Sequence, residues 1–365
     1  MLLSISMNAF KTRRLYLIFT LAFTLFAGLG AVDVAQAQQQ SLLEYPSIHS
    51  PRVGLDGMVV SQNEAASAVG ARILARGGNA IDAAVGIAFT LAVTLPRAGN
   101  LGGDGFMTAY LADQKKVTVI DFRSVAPKAA TLDMYLTPDG RESAAASTGY
   151  RAPAVPGTVA GLWLAHEKYG RTKWAELVAP AEKLAREGLV LSADEAFVFG
   201  WGRKRLATSD AGRKTFFKPD GSAYAAGERL KQPALAWTLQ QISKKGADAF
   251  YRGEVATRIE RDMRAHGGLI TRDDLAAYRA VEREPLRGSY RGYTVYTPPP
   301  ASGGAALLTM LNILETFDLS GLSPGSAETE HLLAETMRLG HRDRVKHLGD
   351  IDFGKIPLQG LTSKA

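Results

Sequence analysis

Apolar residues recur with helical spacing over residues 63–76, where Val69 and Ile73 lie on one side and Arg72 lies on the other. This pattern predicts an amphipathic helix. The next segment, residues 80–95, is almost wholly apolar, which is typical of a helix that is buried on several sides. A Gly-Gly pair separates the two segments and predicts the end of the first helix.

A glycine-rich segment follows the buried helix and opens residues 97–127. Its four glycines in seven residues precede two short runs of strand-forming residues, 106–112 and 117–122, with a polar turn at 113–116. Alternating strand formers around a polar turn predict a β-hairpin that is entered through a flexible loop. A buried helix leading into such a hairpin is typical of layered α+β domains.

The rest of the chain is interpreted mainly as helical. Residues 192–227 show little periodicity and are interpreted as an irregular surface segment. Thr271 and Asp274 have the spacing of a helix N-terminal capping pair. The patterns predict helices at residues 157–168, 174–186, 233–243, 254–265, 271–278, 305–317 and 326–347, and strands at residues 57–61 and 290–297.

The first 37 residues are interpreted as a signal peptide. A basic stretch precedes an apolar run over residues 15–31, and a small-x-small cleavage site ends at Ala37. The run is also about the minimum length for a membrane span, so an uncleaved anchor is the alternative. The cleavage site favours a periplasmic or secreted protein with no membrane attachment after cleavage. Residues 38–56 then form an N-terminal extension, and residues 57–365 form one domain.

Composition narrows the function classes. The 365 residues include no cysteine, which excludes disulfides, thiolate nucleophiles and cysteine zinc sites. The net charge of +7 comes from scattered basic residues, so no nucleic-acid partner is predicted. Nucleotide-binding, zinc-protease and GxSxG motifs are missing, and no cofactor is implied. His331, His341 and His347 share one predicted helix but fit a solvated face better than a metal site.

Arg123 is the candidate ligand-binding residue, because it stands at the end of the second hairpin strand. A fixed guanidinium presents donors in a planar fork that suits a small carboxylate. The alternative is that Arg123 only pairs with Asp121 or caps a helix. Ser124 and Ser302 are hydroxyls in promising loops, but neither has a histidine in its motif. The loop at residues 298–304 precedes a helix, and a tight corner is favoured over an anion site there.

Several motifs resemble the γ-glutamyltransferases, also called γ-glutamyltranspeptidases. The resemblance covers nearly all of residues 57–365. The motifs that carry it, in order, are GGNAIDAAVGIAFTLAVTLPRAGNLGGDGFM, DFR followed by AP, VPGTVAGL, GGLITRDDLAAY, PPPASGG and the final HLGDIDFGKIPLQGLTSKA.

The resemblance implies an N-terminal-nucleophile hydrolase with a four-layer αββα sandwich. A precursor in this family cleaves itself into a large and a small subunit, and the freed threonine attacks the γ-amide of a γ-glutamyl compound. Thr362, the last threonine here, would free only a few residues, so this chain is expected to be a large subunit or a shortened precursor. No catalytic residue is therefore expected in it, and its expected partner is a small subunit from the same precursor, giving a heterodimer.

The resemblance also implies that Arg123 grips the α-carboxylate of the γ-glutamyl substrate. Many family members carry an acidic residue after this arginine, whereas this chain has Ser124. Glutaryl-cephalosporin acylases of the same family act on side chains that have the carboxylate but no amine, and such an acylase is one alternative. A non-catalytic exported binding protein is the other.

Overall fold

The computed structural model describes residues 53–364. The chain divides into two compact units, Met1–Met58 and Val59–Ala365. In the first unit, the described residues form neither helix nor strand. The predicted signal peptide, residues 1–37, lies outside the described residues, as do residues 38–52 of the predicted N-terminal extension.

Two helices open the second unit, α1 (Glu64–Ala75) and α2 (Ala80–Thr94). Helix α2 begins with a reciprocal cap, in which the Asn79 side chain accepts from the Asp82 amide at 2.9 Å and the Asp82 carboxylate accepts from the Asn79 amide at 3.0 Å. Asp82 is fully buried and also accepts from the Arg171 amide at 3.0 Å. Its carboxylate therefore fixes the start of the helix that leads into the glycine-rich loop.

The remaining helices alternate with short strands along the chain. A 3₁₀ turn, Ala144–Ala146, lies in the polar segment after the hairpin. The helices are α3 (Thr158–Tyr169), α4 (Trp174–Glu187), α5 (Ala193–Trp201), α6 (Arg203–Leu206), α7 (Asp210–Phe216), α8 (Pro233–Lys245), α9 (Asp248–Tyr251), α10 (Glu254–Ala265), α11 (Arg272–Ala277), α12 (Gly304–Glu315), α13 (Ala327–His347) and α14 (Leu358–Thr362).

The strands of the described residues form three small antiparallel sheets. Strands β1 (Phe106–Leu111) and β2 (Lys116–Asp121) make the predicted hairpin, which is confirmed, and β5 (Val281–Arg283) pairs with the other edge of β2. The second and third sheets are β3 (Leu189–Val190) with β4 (Arg229–Leu230), and β6 (Leu286–Tyr290) with β7 (Tyr293–Thr297).

The main hydrophobic core lies between helices α2, α4 and α8 and the inner face of β2. Phe89 and Trp174 meet edge to face at 5.3 Å, and the Trp174 indole donates to the Ile242 carbonyl at 2.9 Å. Ile120 of β2 is buried in the same core. This packing fixes β2, and with it the strand end from which Arg123 projects.

Three predictions of local structure were wrong or incomplete. Residues 57–61 form no strand, because no described strand pairs with them and Val60 is 83% exposed. Residues 192–227 include three helices, the first of which starts at a capping box between Ser192 and Glu195. The strand predicted at 290–297 is the second half of a hairpin.

Candidate functional site

The site lies where the hairpin opens beyond its last paired residues. Past the end of β2, the Phe122 amide donates to the Gly105 carbonyl at 3.0 Å, and the Gly105 amide donates back at 3.4 Å. These two bonds extend the ladder by one residue pair. They bring Asp104, from the glycine-rich loop, beside Arg123.

Arg123 is held at three points. Its Nη1 donates to both carboxylate oxygens of Asp104, at 2.9 and 3.1 Å. Its amide donates to Asp121 Oδ1 at 3.0 Å, and its carbonyl accepts from the Tyr278 hydroxyl at 2.9 Å. The side chain is 53% exposed, and within residues 53–364 its guanidinium has no hydrogen-bond partner other than Asp104. Its other donors are therefore available to a ligand.

Ser124 strengthens the same arrangement. Its amide donates to Asp104 Oδ2 at 3.0 Å, and its hydroxyl donates to the same oxygen. The Asp104 side chain is only 19% exposed. Sequence reasoning missed Asp104, although an acidic residue inside a run of glycines was a usable signal. The glycines on either side let the backbone bring this carboxylate close to a strand end.

The alternative in which the Arg123 side chain pairs with Asp121 is wrong, because Asp121 contacts Arg123 only through the Arg123 amide and binds the guanidinium of Arg283 instead. Asp121 Oδ2 accepts from Arg283 Nε at 2.6 Å, and the Arg283 guanidinium also donates to Asp352, at 3.1 Å to Oδ1. Hydrogen bonds to Asp352 and Asp121 raise the pKa of Arg283, and the bond from Arg283 lowers the pKa of Asp352. Arg283 therefore satisfies Asp121 and leaves the Arg123 guanidinium to Asp104.

Helix α3 packs closely against Phe122, which follows the end of β2. A Cβ on Gly157 would lie 1.9 Å from the Phe122 carbonyl oxygen and 2.2 Å from the Tyr278 hydroxyl, and one on Gly161 would lie 2.2 Å from the Phe122 ring. Both positions therefore require glycine. Burial raises the pKa of Tyr278, which keeps its hydroxyl protonated as a donor to Arg123. The VPGTVAGL motif thus encodes the close approach of a helix to the site.

The proline-rich loop at residues 298–304 behaves as a corner. The Ser302 hydroxyl donates to the Pro298 carbonyl at 2.6 Å and accepts from the Gly304 amide at 3.0 Å. These bonds lie within the loop and shape the start of α12. They agree with the interpretation of this loop as a packing element.

Residues 53–364 contain neither a cluster of metal ligands nor a membrane-spanning helix. There, no three histidine, aspartate or glutamate side chains gather as metal ligands. Over the same stretch, no helix has the length and apolar character that crossing a bilayer requires.

Comparison with known proteins gives one consistent family. The sequence profile of gamma-glutamyltranspeptidase matches residues 66–365. The glutathione hydrolase proenzyme of Escherichia coli strain K12 is 45% identical over 314 residues, which cover 85% of this chain and 53% of that protein. The acylase ACY 1 proenzyme of Pseudomonas sp. strain SE83 is 40% identical over 323 residues, which cover 86% of this chain and 58% of that protein.

The solved structures agree with the sequences. The crystal structure of Helicobacter pylori gamma-glutamyltranspeptidase superimposes with a TM-score of 0.83 at 42% identity, covering 86% of this chain and 90% of that chain. That of cephalosporin acylase from Bacillus halodurans gives a TM-score of 0.73 at 28% identity, covering 88% of this chain and 61% of that chain. The predicted fold class, α+β of the N-terminal-nucleophile hydrolase type, is confirmed. The chain spans about half the length of the curated relatives it matches.

Proposed function

The chain belongs to the gamma-glutamyltranspeptidase family, and we propose that it is the large subunit of an exported γ-glutamyltransferase. The complete enzyme transfers the γ-glutamyl group of glutathione and related compounds to water or to an amino acid or peptide. Its second subunit comes from the same precursor and supplies the threonine nucleophile. The predicted signal peptide supports a site of action in the periplasm or outside the cell.

The shares of length support a two-chain enzyme. This chain covers 53% of the Escherichia coli protein, whose name describes a proenzyme, but 90% of the chain in the Helicobacter pylori crystal structure. A precursor that is divided into two chains accounts for this difference. On this proposal, the bond-breaking residues lie on the other chain, and Arg123 of this chain binds the substrate.

The observation that carries the proposal is the half-exposed guanidinium of Arg123. Nη1 is held by Asp104, while the remaining donors form part of a planar fork suited to a carboxylate. A γ-glutamyl substrate carries its α-carboxylate at the end remote from the scissile amide. Arg123 holds that end and so places the γ-carbonyl in front of the nucleophile of the partner subunit.

The reaction then proceeds by acyl transfer. The threonine hydroxyl adds to the γ-carbonyl, its proton passes to the freed α-amine, and the amine of the leaving peptide departs with a proton. The resulting ester is opened by water or by an acceptor amine, which restores the threonine. Throughout these steps Arg123 keeps one contact, the α-carboxylate, which takes no part in bond making.

A glutaryl acylase is the second candidate, and the 40% identity to an acylase proenzyme favours keeping it. A glutaryl group presents the same carboxylate to Arg123 and lacks only the amine. The guanidinium donors of Arg123 that Asp104 does not occupy suit both acyl groups, because both acyl groups carry the carboxylate. The choice between them depends on which groups contact the amine.

The experiment that tests the proposal uses this chain together with its small subunit. Arg123→Ala and Arg123→Lys are assayed on γ-glutamyl and glutaryl p-nitroanilides. Each charge-assisted bond contributes about 1.5–3 kcal/mol, so the KM is expected to rise roughly 10- to 100-fold. Self-cleavage into two chains is expected to remain intact, because Arg123 binds only the substrate.

Arg141→Lys serves as the matched control, because the Arg141 side chain is 82% exposed and pairs with Asp139 in its own turn. It is expected to leave both KM values unchanged. An unchanged KM in both Arg123 variants would refute the binding role of Arg123. Activity on the glutaryl compound alone would select the acylase instead.

A further inference from the structure

We propose that Asp104 is a positioning residue that orients the Arg123 guanidinium for the substrate carboxylate. This inference rests on the proposed function, because it assigns a role to a neighbour of the proposed ligand group. Asp104 lies 19 residues before Arg123 in the chain, and its carboxylate reaches Nη1 at 2.9 Å. It acts on the substrate only through Arg123.

The backbone is anchored on both sides of Asp104. The Gly103 carbonyl accepts from the Gly157 amide at 2.9 Å and from the Thr158 amide at 3.1 Å. Gly105 makes the two backbone bonds to Phe122 described above. The residue between these anchors therefore has little backbone freedom, and its Cα has a fixed place beside the hairpin end.

Ser124 holds the Asp104 carboxylate by hydrogen bonds. Oδ2 of Asp104 takes the Ser124 amide and hydroxyl, while Oδ1 takes the Arg123 Nη1 at its shorter distance of 2.9 Å. Oδ2 also accepts from Nη1 at 3.1 Å, so the oxygen that anchors the carboxylate on Ser124 shares the guanidinium with Oδ1. At 19% exposure, the carboxylate is far less hydrated than the 53% exposed arginine it directs.

The backbone of Arg123 does not need this help. Asp121 holds its amide and Tyr278 holds its carbonyl, so its Cα is already placed. What remains free is the long side chain with its several rotatable bonds. Among the described residues, Asp104 alone contacts the charged end and restrains those rotations. A freed arginine would still bind a carboxylate, but it would lose rotamer freedom on binding.

The test measures kcat and KM for Asp104→Asn in the two-chain enzyme, on both p-nitroanilides. The KM is expected to rise about 10-fold on both substrates, with kcat and self-cleavage nearly unchanged. The KM values of the two substrates are expected to rise equally because both substrates carry the carboxylate. Asp113→Asn, an exposed aspartate in the turn of the same hairpin, is the matched control and is expected to change neither constant.

Two further variants separate positioning from a purely structural role. In an Arg123→Ala background, Asp104→Asn is expected to add nothing, because its effect passes through the missing side chain. Ser124→Glu is expected to recover most of the KM of Asp104→Ala, because the Ser124 side chain already reaches the place of the lost carboxylate.

Contrary outcomes are equally clear. A further loss in the Arg123→Ala background, or a loss confined to the γ-glutamyl substrate, would overturn the positioning role. An unchanged KM in Asp104→Asn, with Arg123→Ala impaired, would remove only Asp104 from the site. If Arg123→Ala were itself unimpaired, the proposed function of Arg123 would fail together with this inference.

Discussion

Replacing Gly157 by alanine tests whether helix α3 sets the position of Arg123. The new Cβ would lie 1.9 Å from the Phe122 carbonyl oxygen and 2.2 Å from the Tyr278 hydroxyl. Gly157 has a φ of −108°, which alanine tolerates, so the effect comes from these contacts and not from backbone strain. Overpacking costs about 1–3 kcal/mol, and losing the Tyr278 bond to Arg123 costs about 0.5–1.5 kcal/mol.

Gly157→Ala is therefore expected to lower the free energy of unfolding by roughly 2–4 kcal/mol, measured by urea denaturation of the two-chain protein. Because Phe122 directly precedes Arg123, the same shift moves the guanidinium. A displaced guanidinium loses part of the roughly 1.5–3 kcal/mol that each charge-assisted bond to the substrate contributes, so a rise in KM of about 10-fold is expected for the γ-glutamyl anilide.

Gly200→Ala is the matched control, because Gly200 lies inside α5 and nothing stands within 4 Å of its added Cβ. Alanine there is expected to stabilise the helix by about 0.5–1 kcal/mol and to leave the KM unchanged. An unchanged urea midpoint and KM in Gly157→Ala would refute the reasoning that this contact supports the site.

Two further predictions concern ion pairs near β2. Burial opposes the ionisation of Glu282, yet hydrogen bonds from Lys168, Thr118 and Tyr169 lower its pKa to about 2. The ionised Glu282 therefore stabilises the folded protein fully above its ordinary pKa of 4.5, and this stability is lost as the pH falls towards 2. In Glu282→Gln, the urea midpoint is expected to depend less on pH between these two values. A pH dependence equal to that of the unmutated protein would contradict this. Arg283→Met removes the guanidinium that pairs with the buried Asp121, and it is expected to lower the free energy of unfolding, measured by urea denaturation, by about 3–5 kcal/mol. Lys116→Gln breaks an exposed pair with Glu284 and is expected to lower it by less than about 1 kcal/mol. Equal losses in these two variants would show that Asp121 does not depend on Arg283.

Local signals accounted for much of the fold. The capping pair predicted at Thr271 and Asp274 is confirmed, with the Thr271 hydroxyl accepting from the Asp274 amide at 3.2 Å. The hairpin was predicted because alternating strand formers flank a polar turn. Such features depend on residues a few positions apart, and the chain shows them directly.

The errors in the strand predictions arose where strand pairing, and not the local propensity of the residues, decides the structure. Strand β6 (Leu286–Tyr290) has a glycine at its centre, which is a poor strand former, and the strand exists because it pairs with β7. The turn between them has positive φ at Arg291 (48°) and Gly292 (86°), as a two-residue hairpin turn requires. The Arg-Gly dipeptide was a signal for this hairpin that the strand prediction at residues 290–297 overlooked.

In the candidate site, too, one residue was predictable from the sequence and another was not. Arg123 was predicted as a site residue from its place at a strand end and from the family resemblance. Asp104 was not found, because its partners lie 19 and 20 residues away and meet it only when the hairpin closes. Contacts of Asp121 with Arg283 depend in turn on β5, which joins the sheet from 162 residues further along the chain. Pairings of this kind follow from the fold and not from local sequence.

A crystal structure of the two-chain protein with L-glutamate bound would test the central claim most directly. The account predicts that both oxygens of the α-carboxylate lie within about 3 Å of Arg123 nitrogens, while Nη1 remains on Asp104. An Arg123 side chain turned away from the ligand, with the α-carboxylate held by other residues, would contradict it.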